Sequence, residues 1–120
     1  MRVVLLLLRR LVPGVFYDVI TILAMNAVRR QHGGEIRIAS QFYYGANYID
    51  PKHLVVWYLV ATNAEMNEAK SSGIEQAMAA ETRRQLLRRG YPAEAIDKIH
   101  VGIESNENIE KAGGAYRYFK

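Results

Sequence analysis

The sequence contains no cysteine among its 120 residues. This absence excludes disulfide bonds, thiolate metal sites and a cysteine nucleophile. It also suits a reducing compartment, so we expect a cytoplasmic protein. At this length the chain is expected to form a single domain, residues 1–120, with an apolar N-terminal segment at 1–12 and an α+β core at 13–120.

Long hydrophobic runs are missing as well. The longest run near the N-terminus, residues 3–8, has six apolar residues, whereas a membrane-spanning helix needs about 20. Arg9 and Arg10 follow it directly, and the small-residue cleavage site of a signal peptide is lacking. We therefore expect no membrane span, and a first helical segment that packs on the domain or is buried in an oligomer.

Acidic residues are fewer than basic ones, with 12 Asp and Glu against 16 Lys and Arg, and the net charge is +4. This mild charge is ordinary for a soluble protein, although it would also favour an acidic partner. Four arginines form a candidate basic patch that would contact phosphates: Arg83, Arg84, Arg88 and Arg89. These arginines also have a purely structural explanation. They lie at the end of a predicted helix, where cations interact favourably with the helix dipole and can pair with Glu81.

Sequence motifs for catalysis or metal binding are lacking. The histidines at 32, 53 and 100 show no HExxH spacing, and no serine stands in a G-x-S-x-G context. The glycine pairs at 33–34 and 113–114 do not match a phosphate-binding loop. We therefore assign no catalytic residue, no cofactor and no metal.

Hydrophobic periodicity predicts elements in the order α-β-β-α-β-β. The predicted helix covers 15–30, and the predicted strands cover 35–44, 54–61, 99–104 and 115–119. The helical stretch after the second strand has capping boxes at Thr62 and Ser72, which predict a kink or two helices. Gly90 is expected to end this stretch.

The second predicted strand is apolar on both faces, which places it at the centre of the sheet. About 30 residues with a helix separate it from the third strand, which favours a parallel pair. The predicted fold is an α+β two-layer sandwich, with a four-stranded, mostly antiparallel sheet and helices on one face. A permuted ferredoxin-like arrangement is preferred, and an α+β meander is the alternative.

Helices on one face leave the other face of such a sheet open. Six residues are candidates for interaction there: Arg37, Tyr43, Trp57, Tyr58, His100 and Arg117. The apolar second strand would not normally face solvent, so we expect a cover over it. A second copy of the chain is the simplest cover, because two-fold dimers are the commonest oligomers. The apolar segment 3–8 is an alternative cover, either within the chain or across a dimer.

Three functions are compatible with these features, and we prefer the first. It is a small non-catalytic, homodimeric binding protein, such as a bacterial accessory or toxin-immunity protein with a protein partner; the positive charge argues against a nuclease inhibitor. The second function is binding of RNA or single-stranded nucleic acid on the open face through aromatic and arginine side chains. The third is a small-molecule enzyme of dimeric ferredoxin-like type with a pocket at His100 or Tyr58, by fold analogy alone.

Overall fold

The computed structural model describes residues 2–45, 47 and 49–114. Helices and strands within these residues follow one another as α1 (Arg2–Leu11), α2 (Pro13–Gln31), β1 (Ser40–Tyr44), a 3₁₀ turn (Pro51–His53), β2 (Val55–Val60), α3 (Asn63–Ser71), α4 (Ile74–Arg88), α5 (Ala93–Ile96), β3 (His100–Ser105) and α6 (Asn106–Lys111). The Pro13 ring begins α2 without cost, because the first N–H groups of a helix have no partner within it.

The described strands form one mixed sheet in the order β1-β2-β3. β1 runs antiparallel to β2, whereas β3 runs parallel to β2. The parallel pair is confirmed, and its reason is the long connection through α3, α4 and α5, because a tight turn cannot join parallel strands. The fold is therefore α+β, with helices packed on the sheet.

The predicted four-stranded sheet and its ferredoxin-like permutation are not confirmed. Three strands occur in the described part of the chain, and the fourth predicted strand, 115–119, lies outside it. β1 is also shorter than the predicted strand, which began at residue 35. The Arg29 guanidinium donates to the Ile38 carbonyl at 2.8 Å, which ties this part of the preceding segment to α2. The Ala39 N–H, next to β1, still donates to the Leu59 carbonyl of β2 at 2.8 Å.

The core lies between one face of the sheet and the helices α2, α3 and α4. Val56, Tyr58 and Val60 on β2 are fully buried there, and Ile103 on β3 is the register partner of Tyr58. The Tyr58 hydroxyl is 2.8 Å from the hydroxyl of Thr82 on α4. This bond satisfies two polar groups that would otherwise be costly at such a depth.

The periodicity of the helix predicted over 15–30 places Phe16, Ile20, Leu23 and Ala27 on its buried stripe, and the observed stripe of α2 differs slightly. Its buried apolar members are Phe16, Ile20, Ala24, Met25 and Val28, and all of them except Met25 recur every fourth residue. Leu23 and Ala27, which the sequence pattern placed on the stripe, are only half-buried at its edge. Both choices fit a 3.6-residue period, so the pattern alone did not distinguish them.

The two predicted capping boxes have different outcomes. Thr62 caps α3, since its hydroxyl accepts the Glu65 N–H at 3.2 Å. Ser72 does not cap α4, and this prediction is wrong: its hydroxyl donates to the Ala69 carbonyl at 3.4 Å. Gly73 stands at the start of α4 with a φ of 86°, a conformation that glycine adopts without strain and that separates the two predicted helices.

The outer edge of β3 is held by α4. The Ile103 N–H points away from β2 and donates to the Glu75 carboxylate at 3.0 Å. Lys70 pairs with the same carboxylate at 3.1 Å. A backbone donor at the edge of the described sheet is thus satisfied by a side chain of a neighbouring helix.

We predict that Thr62→Ala lowers the free energy of unfolding by about 1 kcal/mol, because α3 loses its side-chain cap. Ser72→Ala is the matched control and should change this free energy by less than about 0.5 kcal/mol. Urea unfolding followed by circular dichroism measures both values. An equal loss in the two variants would contradict the assignment of Gly73 as the start of α4.

Candidate interaction surfaces

Strand register divides the predicted sheet-face residues between the two faces. Trp57 lies on the face away from the helices, since its register partners Phe42 and Gly102 alternate with the helix-facing residues. Tyr43 and Tyr58 lie on the helix-covered face, contrary to the prediction. The Tyr43 hydroxyl donates to Asp18 on α2 at 3.1 Å.

The remaining sheet-face candidates are also separated. His100 lies beside Trp57, with ring centroids 4.7 Å apart. Arg37 is exposed but precedes β1, so it does not belong to the open face. Arg117 lies outside the described residues. Only Trp57 and His100 of the predicted set are therefore brought together.

An aromatic row crosses the three described strands on the face away from the helices. It consists of Tyr44 and Phe42 on β1, Trp57 on β2 and His100 on β3. The rings of Phe42 and Tyr44 stack with centroids 6.0 Å apart and an interplanar angle of 19°. A Cβ atom at Gly102 would lie 2.8 Å from the Trp57 ring, so the indole occupies the space above this glycine.

The predicted basic patch is divided by the packing of α4. Arg83 donates to the carbonyls of Ile96 and Ile99 at 3.3 and 3.1 Å, which supports the connection between α5 and β3. Arg84 pairs with the buried carboxylate of Glu81. These two arginines therefore have structural partners, and only the other two remain as candidates for contact with phosphates.

Arg88 and Arg89 lie at the C-terminal end of α4, where cations interact favourably with the helix dipole. Arg89 also donates to the side chain of Gln85. Partial burial lowers the pKa of Arg89, and the nearby charges of Arg88 and Arg30 lower it further. Arg88 and Arg89 are thus close together, but their interaction with the end of the helix explains their position without a phosphate ligand.

The most exposed apolar surface lies on α1. Val3, Val4, Leu7 and Leu11 are 53–76% exposed, and at 3.6 residues per turn they share an arc of about 100°. We call these four residues the α1 stripe. Within the described ranges, no helix combines the length and apolar character needed to cross a bilayer.

Arg9 lies on the opposite side of α1 and faces the domain. Its guanidinium carbon is 5.9 Å from the centre of the Phe16 ring. One guanidinium nitrogen is 3.8 Å from the place where a Cβ of Gly90 would stand. Arg9 is itself exposed, but its guanidinium packs over the Phe16 ring, while the four residues of the α1 stripe face solvent on the other side of the helix.

A groove lies between the segment before β1 and helix α3. Its volume is about 310 Å³, and its walls include the apolar side chains of Ile36, Ala64, Ala69 and Ile74. Three carboxylates stand around it: Glu35, Glu65 and Glu68. Arg37, which was predicted on the sheet face, contributes to its wall instead. We call this feature the acidic groove.

The sequence offered a partial signal for the α1 stripe and none for the acidic groove. The apolar run at 3–8 predicted a buried helix, but its periodicity could not show which side faces the domain. The groove combines residues from an extended segment, α3 and the start of α4. Side chains so far apart in sequence are brought together only by the packing of these elements.

No protein-family model matches the sequence, and no curated protein or solved structure is detectably similar to it. Among the described residues, no group of three or more His, Asp and Glu side chains is arranged to hold a metal ion. Function is therefore argued from the aromatic row, the α1 stripe and the acidic groove.

We predict that the free energy of unfolding falls between pH 10 and about pH 12, and that Tyr58→Phe removes part of this decrease. Burial raises the pKa of Tyr58 from 10 to about 12, and the bond to Thr82 offsets this only partly. Above pH 10 the unfolded chain releases the phenolic proton while the folded protein retains it, which stabilises the unfolded state.

The measurement is urea unfolding of both proteins from pH 8 to pH 12. At pH 8 the variant should be less stable by about 1 kcal/mol, because the hydrogen bond to Thr82 is lost. The difference between the two proteins should shrink as the pH rises, since only the wild type loses the contribution of Tyr58. If the free energies of unfolding of the two proteins changed in parallel with pH, Tyr58 would not titrate at a raised pKa.

Proposed function

We propose that the protein is a non-catalytic interaction protein that forms a homodimer through the α1 stripe. One observation supports this most strongly: the four stripe residues face solvent, while Arg9 on the same helix faces the domain. A helix that turns its apolar side outward lowers its free energy when that side is covered.

The size of the exposed surface also supports a dimer. Complete burial of a valine or leucine side chain contributes about 1.5–3 kcal/mol, so covering the stripe is worth several kcal/mol. Val12 and Val15 are 46% and 43% exposed and continue the apolar surface onto the start of α2. Apolar patches beyond a few hundred Å² commonly mark protein interfaces. The lack of cysteine suits the cytoplasm, where we propose that the dimer forms.

We expect light scattering to give twice the chain mass for the wild type, at both low and high salt. Leu7→Glu or Leu11→Glu should weaken the dimer by more than about 30-fold, because a carboxylate would be buried in an apolar interface. Leu87→Glu is the matched control. Leu87 is 48% exposed on α4, so the same change there should leave the mass unchanged.

Circular dichroism separates loss of association from loss of fold in this series. The stripe residues are exposed, so all three variants should keep the helical content and unfolding midpoint expected of a folded protomer. A monomeric wild type, or a wild-type dimer that survives both substitutions in α1, would overturn the proposed function.

Binding of single-stranded nucleic acid is a second candidate, and the aromatic row favours it. Rings on neighbouring strands are the usual platform on which unpaired bases stack. Tyr44 and His100 are exposed at the two ends of the row, and Trp57 lies between them. The candidate rests on these rings, because Arg37 lies elsewhere.

This second candidate predicts that an oligouridine of about ten nucleotides quenches the fluorescence of Trp57, the one tryptophan in the chain. Affinity should fall steeply with salt, as contacts to phosphates require. His100→Ala should weaken binding, whereas Arg37→Ala should not. A high 260/280 nm absorbance ratio after purification without nuclease would agree, and unchanged fluorescence at low salt would contradict the candidate.

A further inference from the structure

The charge of α1 restricts the surface that can cover its stripe. The helix contains three arginines and no acidic residue. Arg9 faces its own domain, but Arg10 is exposed beside the stripe. Packing two α1 helices against each other would bring like charges together, which opposes that arrangement. A complementary surface needs apolar walls and carboxylates.

The acidic groove on the same chain has both properties. Its walls include Ile36, Ala69 and Ile74, and the three carboxylates around them outnumber the one cation of the lining, Arg37. Glu68 is exposed and takes part in none of the ion pairs found among the described residues.

We propose that the α1 stripe of one copy docks into the acidic groove of a second copy. Leu7 and Leu11 enter the groove, and Arg10 pairs with the carboxylate of Glu68. This inference rests on the proposed dimer and names the two surfaces that meet in it.

The α1 stripe and the acidic groove lie near opposite ends of α2, which is compatible with a closed dimer. The stripe lies near Phe16 and Gly90, where α2 begins and α4 ends. The groove includes Ile36 and Ile74, which lie after the end of α2 and at the start of α4. The surfaces are thus separated by about the length of α2, roughly 28 Å for 19 residues. Two copies side by side in opposite directions make the same contact twice, as a two-fold dimer requires.

The test is a charge exchange, which reverses the charge of each partner in turn and then of both together. The dimer dissociation constant of the full-length protein is measured for each variant by sedimentation or dilution. Arg10→Glu and Glu68→Arg should each raise the dimer dissociation constant about tenfold or more, because each places like charges together. The double variant restores an opposite pair and should return the constant to within about threefold of the wild type. Glu94→Arg, at an exposed position of α5, is the control for a change of net charge and should have no effect.

A second variant tests the groove without altering its charge. Ala64 is exposed on α3 at the wall of the groove, so Ala64→Trp should fill the groove and favour the monomer while the protomer stays folded. Retention of the dimer in this variant would overturn the docking site. The charge exchange then serves as an independent check.

The outcomes separate this inference from the proposed function. If Leu7→Glu abolishes the dimer but the charge exchange and Ala64→Trp do not affect it, the groove is not the partner surface and the dimer stands. If the wild type is a monomer, both proposals fail. Binding of that monomer to phosphatidylglycerol vesicles, lost in Leu7→Glu, would assign the stripe to an anionic membrane surface instead.

Discussion

The rest of the structure depends on how β2 is buried. One side of this strand, with Val56, Tyr58 and Val60, is entirely excluded from solvent by the helices. The Tyr58 hydroxyl is paired with Thr82, so the deepest polar group of the strand is satisfied and its position against α4 is specified. Because β2 lies between β1 and β3, this single contact sets the orientation of both neighbouring strands toward the helices.

That orientation also determines which surfaces remain for interaction. With one side of the sheet committed to the core, the aromatic row can only lie on the other side. The helices in turn have different roles, since α2, α3 and α4 form the layer over the sheet while α1 packs on α2. Within the described part of the chain the α1 stripe stays exposed, and the proposed dimer rests on this exposure.

Local features of the fold were largely predictable from the sequence. The parallel pairing of β2 and β3 followed from the length of their connection, and the Thr62 cap followed from its capping box. These signals lie within a few residues or depend only on chain length. Ser72 shows the limit of such reasoning, because its box is equally good in sequence but Gly73 adopts the left-handed conformation that starts α4.

The candidate surfaces were less predictable, for a different reason. Alternation shows which residues of a strand share a face, but it does not show which of the two faces the helices cover. β2 is apolar on both sides, so its sequence gives no indication of the covered face. Tyr43 and Tyr58 were therefore expected on the open face but lie on the helix-covered one, while Trp57 and His100 lie on the opposite face. The acidic groove was missed because it exists only after α3 packs beside the segment before β1.

The contact between Glu75 and the edge of β3 has a consequence for how copies of the protein can meet. A strand from another molecule would need the Ile103 N–H to extend the sheet, and the carboxylate already holds it. Growth of the sheet at this position would require breaking a charged hydrogen bond and the pairing of Glu75 with Lys70. This position of the sheet edge is thus protected against open-ended, amyloid-like stacking of copies.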